Sequence, residues 1–244
     1  MQGISINMTR TPFGPSIWVL LFYLVFVASV GPVAADDTIE PHPHQGILAP
    51  YQPVALNIIL DEDQLEELAD GDLVQMTIEN ENENGGGRGI GVIDIAASTD
   101  TVWNRIMGFE HYPEWVGPVD FCEVYNQAGD TIYTHVKISG FLYSYEYFLI
   151  NIFWPEQDML TWTLDYGRKS EFDDCVGAWY VEVHPDKDDW SRAWFSSDLE
   201  LNSPLPGFLM TFIRKKGIRD AISWVKEQSE VPVEEPEIEL DWSR

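Results

Sequence analysis

From Ile90 to Leu201 the chain is a succession of strand-like segments broken by short polar turns, and this constrains the fold more than any other feature. The segments are Ile90–Ala96 and then about 119–127, 130–139, 142–153, 159–166, 175–184 and 190–201. Turn chemistry separates the later ones, with Ala128-Gly129-Asp130, Pro155 to Asp158 and Pro185 to Asp188 each suited to an antiparallel hairpin. No long helical period interrupts these strands, which excludes parallel βαβ winding. After the first strand, Ser98 is placed to cap a helix reaching Met107, and Pro113 and Pro118 punctuate a second, shorter one. A long helix over Pro206–Gln228 closes the series, with Leu209, Phe212, Ile213, Ala221, Trp224 and Val225 on one face.

The pattern therefore predicts an α+β domain: a curved antiparallel sheet of seven strands around a long C-terminal helix, with two short helices after the first strand. A single helix does not fill the concave face of such a sheet, so a cavity between the two is the natural ligand site. Alternation along the strands sends Leu160, Trp162 and Leu164, and likewise Cys175, Trp179, Val181 and Val183, toward that concavity. Tyr143, Tyr145 and Tyr147 share one face of their strand, but Leu142, Phe148, Ile150 and Ile152 make the other face equally apolar. Their direction stays open at this point. His135 alternates away from the inner row and is expected to be exposed.

The segments outside the domain differ in character. Residues 1–35 carry one charge, Arg10, before the apolar run Ile17–Val30 and the small residues Val33-Ala34-Ala35. That run is 14 residues long, short of the ~20 a bilayer crossing needs. A cleaved signal peptide and an exported domain are expected, the alternative being a retained membrane anchor through residues 17–30. Residues 36–55 read as a proline-rich extended linker in which His42 and His44 are solvated. Residues 56–87 hold a short acidic helix with Asp61 and Gln64 spaced as a capping box, then a strand and the glycine-rich "ENENENGGGRG". Those glycines do not have phosphate-loop spacing and precede a strand, so a flexible turn is expected. The main domain spans 88–228 and an acidic tail 229–244.

The net charge of −27 is unfavourable to nucleic acid and to anionic lipid surfaces, which argues against either as a general partner. Cys122 and Cys175 match no zinc spacing. They read as small core residues, with a disulfide the less favoured alternative. No cofactor and no metal are expected, and the chain is expected to be a monomer.

"GVIDIAASTDTVWNRIMGFEHYPEWVGPVDFCEVY" resembles the opening strand, paired helices and second strand of the START-like (SRPBCC) superfamily, which includes polyketide cyclase/dehydrase-type proteins. "SYEYFLINIFW", "MLTWTLDY", "CVGAWYVEVHP" and "PLPGFLMTFIRKKGIRDAISWV" follow in the order of that family's middle strands and final helix. "LDEDQLEELADGDLV" is similar to a leader seen before this domain in some members. The resemblance implies the helix-grip fold and a hydrophobic ligand cavity. The implied function is binding or transport of a lipid, quinone or polyketide-like molecule, the alternative being a cyclase, aromatase or dehydratase using the same cavity. Expected ligand contacts are Tyr112, Trp115, Tyr145, Tyr147, Trp162, Trp179, Phe208 and Phe212. The segment from Gly108 to Val119 is expected to gate entry, with Trp103 fixing the preceding helix to the core. His111 and Glu114 are the acid-base candidates, on residue type alone.

Overall fold

The computed structural model describes residues 39–54, 58–79, 87–140, 143–201 and 207–231, and their side chains except at 78, 79, 87, 143 and 207–215. The expected signal segment, the glycine-rich turn at 80–86, most of the acidic tail and the side chains of Phe208 and Phe212 lie outside the described residues. Among the described residues no helix is long and apolar enough to cross a membrane.

Helix α1 (Glu62–Ala69) begins at the expected capping box: Gln64 N–H donates to Asp61 Oδ1 at 2.9 Å, and Asp61 N–H donates to Gln64 Oε1 at 3.0 Å. Strands β1 (Val74–Glu79) and β2 (Gly87–Ile95) follow, then α2 (Thr99–Ile106), whose N-cap Ser98 accepts from Thr101 N–H. A short 3₁₀ turn, Phe109–His111, runs into α3 (Tyr112–Trp115). Then come β3 (Val119–Ala128), β4 (Thr131–Gly140), β5 (Tyr143–Trp154), β6 (Met159–Leu164), β7 (Phe172–Val183) and β8 (Ser191–Leu201), and α4 (Gly207–Ser229) closes the chain.

Among the described residues all strands belong to one antiparallel sheet in the order β1-β2-β8-β7-β6-β5-β4-β3. It has eight strands rather than seven, because β1 of the leading extension pairs with β2 and lengthens the sheet at that edge. Helix α4 lies along one face of β2. Gly89 makes this approach feasible, since a Cβ there would stand 2.4 Å from Cδ1 of Ile218. Ile218, Ile222, Trp224 and Val225 of α4 join Ile93, Ile95, Val181 and Ala193 of the sheet and Val102, Trp103 and Ile106 of α2 in the main core. Trp103 is buried there edge-on to Phe153, ring centroids 5.0 Å apart, which seats α2 as expected.

The opposite face of the sheet is covered by the segment ahead of the domain. Leu68 of α1 packs with Val74, Ile90, Val92 and Trp194 in a second core. Residues 39–54 were expected to be a solvated linker; instead they form a strap bound to β7 and β8. Asp174, fully buried, accepts from Ile47 N–H and Leu48 N–H at 2.7 Å each through Oδ2. Its Oδ1 accepts from Tyr166 O–H and from Cys175 N–H. Farther along, Tyr51 O–H meets Ser196 Oγ at 2.5 Å and the guanidinium of Arg88 lies over the Tyr51 ring. His42 is 4% exposed, which corrects the expectation of a solvated pair. The strap has no hydrophobic period because backbone amides make much of its attachment.

Candidate functional site

Period-two alternation on five strands places one row of side chains from each on the concave face opposite α4. They enclose, with the helix, a cavity of ≈ 330 Å³, inside the size range of small-molecule sites. Its deep end is made by Leu160 and Trp162 of β6, Trp179 of β7 and Phe195 of β8, all buried. The rings interlock: Trp162 stacks on Phe195 at 5.6 Å and Trp179 meets Phe195 edge-on at 4.9 Å. Ile218, Ala221 and Trp224 of α4 form the roof. Toward the sheet end that carries Ile138, Tyr145, Leu199 and Leu201 the lining becomes half-exposed, and the ion pair of Lys216 and Asp220 stands there on α4.

Tyr145 and Tyr147 turn inward and pack on Phe172 at 5.0 and 4.6 Å, which resolves the ambiguity of their strand. The outward Phe148 is covered by His135, stacked on it at 4.3 Å, and by Arg168. His135 is thus half-buried rather than exposed. It lies between Glu146, 2.7 Å from its Nε2, and Glu123, 3.4 Å from its Nδ1.

Of the expected contacts, Tyr112, Tyr145, Tyr147, Trp162 and Trp179 line the cavity. Tyr112 is fixed on both sides: its hydroxyl donates to Ile106 O at 2.5 Å and its ring meets Trp224 edge-on at 5.1 Å. Trp115 stacks on Trp224 from a second layer and is not part of the lining. His111 and Glu114 also lie outside the lining. The His111 ring rests on Trp115 with its side chain 48% exposed, and Glu114 is exposed.

The cavity holds few ionisable groups. Burial pushes the Cys175 thiol up to about 12 and raises Tyr112 and Tyr145 above their ordinary 10.0, so all three are protonated near neutral pH. Cys122 is a second buried free thiol, also pushed up to about 12 by burial. Sequence reasoning missed two polar residues of the deep end, Thr134 and Asn151, 1% and 2% exposed. Asn151 could have been found, since it continues the row Tyr145, Tyr147, Leu149 at period two.

Two further clusters lie off the cavity. Asp94, 2% exposed, accepts from Arg192 Nε at 2.7 Å and lies 2.9 Å from His184 Nε2, on the face opposite Ile93 and Ile95. In the strap, His42, His44 and Asp173 bring three metal-capable ligand atoms within 4.8 Å of one another. However, Nδ1 of His44 accepts from Gly46 N–H and Nδ1 of His42 from Ser170 N–H. Each Nε2 then carries its ring's proton toward Asp173, at 2.8 Å from the main-chain oxygen for His42 and 3.4 Å from Oδ1 for His44. In this arrangement the two rings clasp the strap to β7 and do not present lone pairs to a cation.

The sequence pattern of the family described as "Polyketide cyclase / dehydrase and lipid transport" matches residues 95–226. No curated protein matches the chain. Among solved structures, a STAR-related lipid transfer protein from Xanthomonas axonopodis superposes with a TM-score of 0.52 at 11% identity, covering 64% of this chain and 93% of that one. A START superfamily protein from Mycobacterium smegmatis does so with a TM-score of 0.50 at 16% identity, covering 59% and 97%. The Zhui aromatase/cyclase from a Streptomyces species gives 0.50 at 10% identity, covering 64% and 94%. At these identities the likeness is one of fold.

Proposed function

We propose that this chain, which belongs to the polyketide cyclase / dehydrase and lipid transport family, binds and carries an apolar small molecule of the lipid, quinone or polyketide-like kind in the cavity under α4. The observation that carries this reading is the lining: interlocked aromatic and aliphatic side chains over most of the deep end, with the Lys216–Asp220 ion pair at the half-exposed end. Such a surface favours removing apolar area from water, at about 0.8 kcal/mol per buried methylene. The segment from Gly108 to Val119 borders the cavity through Phe109, Tyr112, Val116 and Pro118 and would gate entry. With residues 1–35 read as a cleaved signal peptide, the domain would act outside the cytoplasm.

The second reading, a cyclase, aromatase or dehydratase, is favoured by the tyrosines of the lining, which are protonated acids facing an enclosed volume. It needs a base at the same place. His111 and Glu114 are outside, and the Tyr112 hydroxyl is already committed to Ile106 O. Carriage is therefore the better-supported function.

Native mass spectrometry of the full chain, followed by organic extraction, tests it. A reproducible apolar adduct, or saturable uptake of the neutral dye N-phenylnaphthylamine, is expected. A chain that carries nothing and takes up no dye overturns the reading.

A further inference from the structure

Asn151 and Thr134 form a polar pair in an otherwise apolar deep end. Both side chains are buried, they stand on adjacent strands β5 and β4, and both line the cavity. Asn151 Nδ2 donates to Ile132 O at 3.2 Å and to Thr134 Oγ1 at 3.0 Å. A main-chain carbonyl only accepts, so the atom facing Ile132 O must be the amide nitrogen and the orientation of the carboxamide is settled. Both hydrogen bonds that Asn151 makes among the described residues thus use its nitrogen, and none of those residues donates to the acceptor Oδ1. Thr134 is in the complementary position. Its oxygen accepts from Asn151, and its own hydroxyl proton has no acceptor among the described residues.

A buried polar group is ordinarily hydrogen-bonded, and an apolar residue of similar shape would serve as well at either position if packing were the only demand. The pair instead presents one free acceptor and one free donor side by side. We infer that Asn151 and Thr134 select a ligand whose apolar body ends in a hydroxyl group, seated deep in the cavity, which donates to Asn151 Oδ1 and accepts from Thr134. The inference rests on the apolar-ligand reading above and narrows its ligand class.

Other head groups match less well. A carbonyl or ether oxygen accepts from Thr134 and leaves Oδ1 unpaired. A carboxylate sets negative charge against Oδ1 with no cation at the deep end among the described residues, whose one lysine in the lining, Lys216, is at the half-exposed end. An ammonium group finds no carboxylate there either, since Asp220 stands beside Lys216.

The test is displacement of N-phenylnaphthylamine from the full chain by dodecanol and by its methyl ether, which share a chain length and differ in the donor. Dodecanol is expected to bind about tenfold more tightly, the order of ratio for leaving a buried acceptor unpaired. In Asn151→Leu the alcohol should weaken about tenfold while the ether stays within about twofold. Asn151→Ala, which removes the same acceptor with less bulk, should also narrow the difference and serves if Asn151→Leu fails to fold. Equal displacement by the two probes, or a preference unchanged in a folded variant, overturns the hydroxyl inference and leaves the cavity reading standing. Failure of the dye to bind the native chain overturns both.

Discussion

Trp162 lies across the backbone of Gly177: a Cβ at position 177 would stand 2.1 Å from Cζ2 of the indole and 2.6 Å from the carbonyl oxygen of Ser196. The indole reaches the cavity's deep end because β7 offers no side chain there, and burial leaves neither partner room to yield.

Gly177→Ala should therefore cost about 2 kcal/mol through overpacking and lower the melting temperature. Adding Trp162→Phe should recover part of the loss, giving a coupling that a double-mutant cycle reads as non-additivity. Additive effects of the two substitutions would contradict the close approach.

His111→Ala and Glu114→Ala should each leave dye binding unchanged and shift stability by no more than about 0.5 kcal/mol, because both side chains are solvent-facing and outside the lining. A loss of binding or of any measured turnover would restore the acid-base role that residue type alone suggests.

Asp174→Ala should be far more damaging. It leaves Ile47 N–H, Leu48 N–H, Cys175 N–H and Tyr166 O–H without their acceptor. A loss of about 3 kcal/mol or more is expected in urea denaturation. Limited proteolysis should show new cleavage within residues 39–54, with the cavity side of the sheet protected.

The two thiols make stability fall at alkaline pH. Burial pushes Cys122 and Cys175 from the ordinary 9.0 up to about 12, so the unfolded chain loses these protons first. Their contribution is complete below pH 9.0 and declines as pH rises toward about 12, by up to about 1.4 kcal/mol per pH unit for each thiol. Urea denaturation at about pH 8 and about pH 11 should give a flatter dependence in Cys175→Ala than in the native chain. Identical slopes would show that the thiol titrates alike in the two states.

Much of the domain was legible because its signals are local and periodic. The turns at Ala128 to Asp130 and Pro155 to Asp158, the Ser98 cap, the inward row of β6 and that of β7 as far as Val181 follow from residue order and strand geometry, whereas Val183, expected inward, is 65% exposed at the end of its strand. The tyrosine row of β5 was not decidable, since Phe148 is covered on the outer face by His135 and Arg168, both distant in sequence. The strap was misread for a related reason: Ile47 and Leu48 attach through amide hydrogens that every non-proline residue possesses. Trp115 looked like a cavity residue by its type and its place beside Tyr112, but a four-residue helix puts it in a second layer, behind Trp224.

The pairing of β2 with β8 bears on how quickly the protein assembles. Pairs such as Ile95 with Ser191 and Arg88 with Asp198 join positions roughly a hundred residues apart, a high contact order that favours slow folding. The hairpins from β3 to β8 can zip successively, but the surface under α4 is incomplete until β2 docks on β8. A molecule held there should contact groups brought together only late on the folding route. Its principal kinetic effect should be to lengthen the native lifetime, with little change in the rate at which new chains reach the native state.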